Sequence, residues 1–108
     1  MAHYMFQGSY SAAAWKTLLE KPENRFDAVK PVIRRFGGKP INSYWALGEH
    51  DFYMIAEFPD NQSAAAFAVA ATAGGALKCL KTVALMTMAE GITMMKKAGK
   101  AKYRAPGE

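Results

Sequence analysis

Two strand patterns meet at Gly48-Glu49-His50-Asp51 in the middle of the chain, and this junction limits the possible folds more than any other feature. Residues 41–47 run into it and residues 52–58 run out of it, both rich in aromatic and aliphatic side chains. A link this short can only join antiparallel neighbours, so a hairpin is predicted here. The elements on either side must then pack around a hairpin set in the centre of the chain.

Upstream, residues 4–9 read as a strand. Ser11 is a plausible N-cap for a short helix over 12–19, which Pro22 interrupts. A second helix follows, with Phe26, Val29, Ile33 and Phe36 at helical spacing on one face. Pro31 lies inside that pattern and is expected to kink the helix or start it afresh, because it lacks an amide donor. Gly37-Gly38 ends it. Downstream, Asp60 or Asn61 caps an alanine-rich helix over 62–72, whose small side chains let it lie close to a sheet. Gly74-Gly75 closes that helix, residues 78–86 form the fourth strand, and 88–97 form a last short helix.

The order is β-α-β-β-α-β with a C-terminal extension. It predicts an α+β fold, a ferredoxin-like antiparallel sheet with helices on one face. The expected division is 1–87 for this domain and 88–108 for a C-terminal helix and basic tail. In the third strand Phe52, Met54, Ala56 and Phe58 point one way, and Tyr53 and Ile55 the other. The face away from the helices should be polar if it meets water. Here it is apolar, with Tyr44 or Trp45 of the second strand adding to it. Such a patch marks an interface. Two sheets packed face to face give a dimeric α+β barrel, so the expected partner is the chain itself, as a homodimer or higher oligomer.

Charge and cysteine content narrow the function classes. The net charge is +5, but residues 96–108 carry Lys96, Lys97, Lys100, Lys102 and Arg104 against Glu108. The body is therefore nearly neutral. The basicity reads as a solvated or oligomer-bridging tail, and nucleic acid is not an expected partner. Aromatic sheet faces can stack RNA bases. The third strand, however, lacks the basic-Gly-aromatic-Gly signature of such domains. No apolar run is long enough to span a bilayer, and Met1–Phe6 lacks a basic start followed by an apolar segment. Cys79 is the single cysteine and cannot form an internal disulfide, which fits a reducing, cytoplasmic setting.

The chain resembles the GYD-domain family from about Tyr4 to Thr87. The residues that carry the resemblance are Ser11 and the Trp15 helix, Arg25-Phe26-Asp27-Ala28, Gly37-Gly38-Lys39, Gly48-Glu49-His50-Asp51, Glu57-Phe58-Pro59-Asp60, Phe67, and Thr82-Val83-Ala84-Leu85-Met86-Thr87. His50 stands where the family usually has tyrosine, and the basic C-terminus lies outside the pattern. The resemblance implies the dimeric barrel fold and no assigned reaction.

Residue chemistry offers few sites. His50 and Asp51 are an adjacent imidazole and carboxylate. A carboxylate can orient a histidine as a general base, so these are the candidate catalytic pair. Against this, strand neighbours point to opposite faces. Gly48 and Asp51 also suit a turn in which Asp51 bonds nearby amides. His3, His50 and Cys79 have no ligand-pair spacing, so neither metal nor cofactor is expected. Cys79 reads as a buried packing residue. The aromatics Tyr4, Phe6, Trp15, Tyr44, Trp45, Phe52 and Tyr53 could line a cavity, with tyrosine hydroxyls, Asn42, His3 or His50 as polar tips. Trp15, Tyr44 and Trp45 are the candidate ligand-binding residues, for an apolar or aromatic small molecule. The expected function is small-molecule binding in a dimeric α+β barrel, with cofactor-independent catalysis within its reach. The alternative is a non-catalytic assembly or regulatory module.

Overall fold

The structure, a computed structural model, describes residues 1–108. The elements are β1 (Ala2–Tyr10), α1 (Ala12–Glu20), α2 (Arg25–Arg35), β2 (Lys39–Trp45), β3 (Phe52–Phe58), α3 (Asn61–Ala73), β4 (Leu77–Leu85) and α4 (Met88–Gly99). The sheet has the order β2-β3-β1-β4 and every neighbouring pair is antiparallel. This is the ferredoxin-like arrangement expected from the element order, with the first helix region divided into α1 and α2.

Local chemistry accounts for the helix boundaries. The Ser11 hydroxyl accepts the Ala14 amide, Asn24 the Asp27 amide and Asp60 the Ser63 amide. Each side chain satisfies one of the amides that a helix start leaves free. Lys21 leaves the helical region (φ −138°, ψ 84°), which the ring of Pro22 disfavours for the residue before it. Pro31 does not restart α2, which runs unbroken through it. The missing donor is offset by the face that α2 buries: Ile33 is fully buried, and Phe26, Val29 and Phe36 pack on the core.

That core is one cluster on the helix side of the sheet. Tyr4 and Phe6 from β1, Met54, Ala56 and Phe58 from β3, Ile33 from α2, and Ala64 and Phe67 from α3 form it. Phe6, Phe58 and Phe67 meet in edge-on and tilted pairs with centroids 5.1–5.9 Å apart. Such geometry suits the ring quadrupoles. The predicted alternation of β3 is therefore correct, with the phenylalanine face turned to the helices. Gly38 permits the close approach of β2, since a Cβ there would stand 2.7 Å from the Phe58 ring and 2.9 Å from the Glu57 carbonyl.

The opposite face carries Met5, Gln7, Tyr53, Ile55, Lys81, Val83 and Leu85, placed side by side by the strand registers. Apart from His50, which packs edge-on against Tyr53, no layer of the chain covers it. Cys79 sits at the Ser9 position of this face and is exposed, not buried as expected from the sequence, because β4 is an edge strand. α4 starts from a capping box: the Thr87 hydroxyl accepts the Glu90 amide, and the Glu90 carboxylate accepts the Thr87 amide. Beyond its first turn α4 barely touches the rest of the fold, and the molecule is 60 Å long by 32 by 21 Å.

Candidate functional site

α2 lies over β2 and α3 over β4, so the two helices diverge across the sheet. At one end Phe6, Phe58, Phe67 and Ile33 fill the gap. At the other end the facing residues of α3 are Ala70 and Ala71, which are too small to fill it. A cleft of about 640 Å³ remains, floored by the sheet and walled by the two helices. Sixteen of its twenty-one lining residues are hydrophobic, so an occupant would be mainly apolar.

The wall near β2 is aromatic. The Tyr10 ring lies 5.4 Å from Phe52, 5.8 Å from Trp45 and 5.9 Å from Trp15, and the two indoles are 5.2 Å apart. Gly8 makes this packing possible, because a Cβ there would stand 2.5 Å from the Phe52 ring. Of the expected ligand residues, Trp45 lines the cleft beside its register partner Phe52, whereas Tyr44 borders it but pairs with Tyr53, which sets its side chain on the open side of the sheet. Trp15 stands against Trp45. Of the other aromatics considered, Phe6 and Phe52 line the cleft, Tyr4 belongs to the core, where its hydroxyl donates to Asn61, and Tyr53 faces the open side of the sheet.

The expected pair of His50 and Asp51 is not a pair. The Asp51 carboxylate accepts from the Trp15 indole and from the Tyr10 amide, both at 3.0 Å, and makes no bond to His50. Its own amide donates to Gly8 at 2.9 Å, and its carbonyl accepts from Ala46 at 2.8 Å. Asp51 thus ties the hairpin to the end of β1 and to α1, rather than capping its own turn. His50 points away, edge-on to Tyr53 at 5.9 Å. It is 5% exposed with Nδ1 unpaired, and its Nε2 is 4.0 Å from Glu49. Residues 47–51 form bends between the two strands, and this local course of the chain sends the two side chains to different partners. Of the other expected polar tips, Asn42 borders the cleft but pairs with Ile55 in the β2–β3 register, which sets its side chain on the open face. His3 lies against Glu57 at 3.6 Å on the open face.

Four polar residues of the cleft escaped the sequence reading, Tyr10, Asn24, Arg25 and Ser43. Arg25 is the one charged residue among those lining the cleft. Its Nε donates to the Tyr10 hydroxyl at 3.4 Å and its Nη1 to Glu23 at 3.0 Å. The Tyr10 hydroxyl, opposed by partial burial and helped by Glu23, holds the guanidinium pKa above its ordinary value. One signal was available in the sequence. Arg25 opens α2, where a cation opposes the helix dipole, so the position has another use for its charge. No three His, Cys, Asp or Glu side chains converge as a metal site would require.

A family model described as the GYD domain matches residues 4–95. The chain belongs to the GYD-domain family. The match takes in all four strands and runs into α4. Among solved structures this GYD domain is similar to MtbAldR, at 17% identity with a TM-score of 0.58 over 80% of this chain and 53% of that one. The chain thus spans about half the length of that protein, and the likeness shows the fold alone. No curated protein sequence matches the chain. No helix of this GYD domain is long and apolar enough to cross a membrane.

Proposed function

We propose that this GYD domain binds a small, mainly apolar molecule in the cleft between its sheet and the helices α2 and α3. The observation that carries the reading is the cleft itself. Its 640 Å³ falls in the range of small-molecule sites, and its lining is mainly apolar as such sites are. The aromatic wall of Tyr10, Trp45 and Phe52 supplies contact area, and Ser43, on the Met54 side of the sheet, supplies a polar contact. The geometry favours binding over acid–base catalysis, since Asp51 spends its carboxylate on Trp15 and Tyr10 and leaves His50 unoriented. Native mass spectrometry of freshly purified protein tests this. A stoichiometric extra mass that disappears in Ala71→Leu supports the cleft, and an extra mass unaffected by that substitution places the ligand elsewhere.

A second reading concerns assembly, and a separate observation favours it. The open sheet face sets Met5, Ile55, Val83 and Leu85 next to one another, and α4 presents exposed Met88, Ile92 and Met95 along one side. A second copy packed on this face buries both, which gives the dimeric α+β barrel. Sedimentation at micromolar concentration decides it, and a monomer there excludes it.

A further inference from the structure

The cleft carries more information than its size. Its lining holds one cation, Arg25, and no carboxylate. The guanidinium is partly buried, its side chain 33% exposed, and it sits beside Tyr10 at the foot of the aromatic wall. Asn24 and the first turn of α2 lie at the same corner, so the positive end of that helix adds to the charge. Glu23, the only acidic partner of Arg25, is half exposed and takes Nη1 alone, which leaves Nη2 without a hydrogen bond.

We propose that the occupant is a flat aromatic anion, a fused-ring carboxylate or phenolate whose rings stack along Trp45, Tyr10 and Phe52 and whose negative oxygen pairs with Arg25. This deepens the binding reading above and rests on it. A neutral apolar ligand would cover Arg25 and leave Nη2 unpaired, whereas an anion gains a charge-assisted bond there. The aromatic faces set the shape, because ring stacking rewards planar ligands over branched aliphatic ones of equal volume. Glu23 holds Nη1 and partly neutralises the same guanidinium, so it weakens the pull on a second anion at Nη2.

The test is calorimetric titration of the full chain with 2-naphthoate and with its neutral near-isostere 2-naphthamide. Naphthoate binds the wild-type protein about tenfold or more tightly than the amide. Arg25→Gln abolishes that preference, and Arg25→Lys restores part of it. Glu23→Gln strengthens naphthoate binding, a gain that a purely structural role for Arg25 would not produce. Equal affinities for the two probes, or a preference that survives Arg25→Gln, overturns the anionic class but leaves the cleft standing. Binding of both probes that is indifferent to Ala71→Leu overturns the cleft reading as well. Absence of saturable binding by either probe overturns the aromatic-anion assignment, and the retained mass then judges the cleft by itself. Circular dichroism of each variant establishes that it folds.

Discussion

The indole of Trp15 donates its Nε1 hydrogen to the carboxylate of Asp51 at 3.0 Å, across 36 positions of sequence. The same oxygen receives the Tyr10 amide, so one side chain fastens α1, the end of β1 and the hairpin together. The aromatic wall of the cleft stands on this joint. Asp51→Ala leaves the indole and the amide without an acceptor, which costs about 1–3 kcal/mol for each group that stays buried. Asp51→Asn keeps an acceptor oxygen and loses less. Urea unfolding followed by tryptophan fluorescence measures both, and equal stabilities for the two variants would remove Asp51 from this role.

Gly8 and Phe52 make a second sharp prediction. A methyl group on residue 8 would stand 2.5 Å from the Phe52 ring and 3.1 Å from the Cys79 carbonyl. Gly8→Ala therefore destabilises the protein by about 1–3 kcal/mol, through overpacking. Phe52→Leu in the same chain recovers part of that loss. A double-mutant cycle without coupling between positions 8 and 52 contradicts the argument.

His50 is buried with an unpaired Nδ1. A buried polar atom without a partner lowers stability, so replacing the ring by an apolar side chain of similar size removes a cost. His50→Leu is expected to be neutral or to raise the melting temperature. A fall of several degrees would mean that the imidazole makes a stabilising bond, such as one to a second copy across the open face.

The start of α4 depends on pH. Hydrogen bonds from the Thr87 amide and side chain hold the Glu90 carboxyl below its ordinary value of 4.5. A depressed folded-state pKa means that the carboxylate stabilises the cap above 4.5, and that this contribution is lost as pH falls through the folded value. Protection of the α4 amides against exchange, taken relative to the intrinsic rate at each pH, should therefore fall in acid before that of β1 or β3 does. Glu90→Gln should flatten that dependence. Exchange in α4 that is independent of pH relative to the sheet excludes the cap as the cause.

Val83 tests the open face. It is 38% exposed and lies opposite Met5 in the β1–β4 register. Val83→Glu places a charge that water accommodates in a monomer but that a packed sheet-on-sheet interface does not. Sedimentation velocity should show a dimer for the wild type and a monomer of unchanged circular dichroism for the variant. Identical sedimentation of both proteins would rule out this face as the interface.

Much of the framework was legible in one dimension. Phe52–Phe58 matches its predicted strand to the residue, and Ser11 and Asp60 cap the helices they were expected to cap, because caps and alternation act over three or four residues. Other features were hidden by distance in sequence. Pro31 reads as a break, yet α2 continues because Ile33 and its neighbours are held by the sheet. Cys79 reads as a core residue, yet strand order puts β4 at an edge.

The candidate site divides in the same way. Trp45 and Tyr44 were visible as aromatic residues of a strand beside a hairpin. The separation of His50 from Asp51 follows from the bends of the connection, which are local. The bond between Asp51 and Trp15 and the meeting of Arg25 with Tyr10 are not local. They exist because the antiparallel pairing of β1 with β3 sets the end of β1 beside the start of β3, where α1 and α2 begin to cross back. Short-range sterics and hydrogen bonding in the chain determined the elements and their order. Long-range burial decided which side chains share a cleft, since only the packed sheet and helices fix where two distant residues meet.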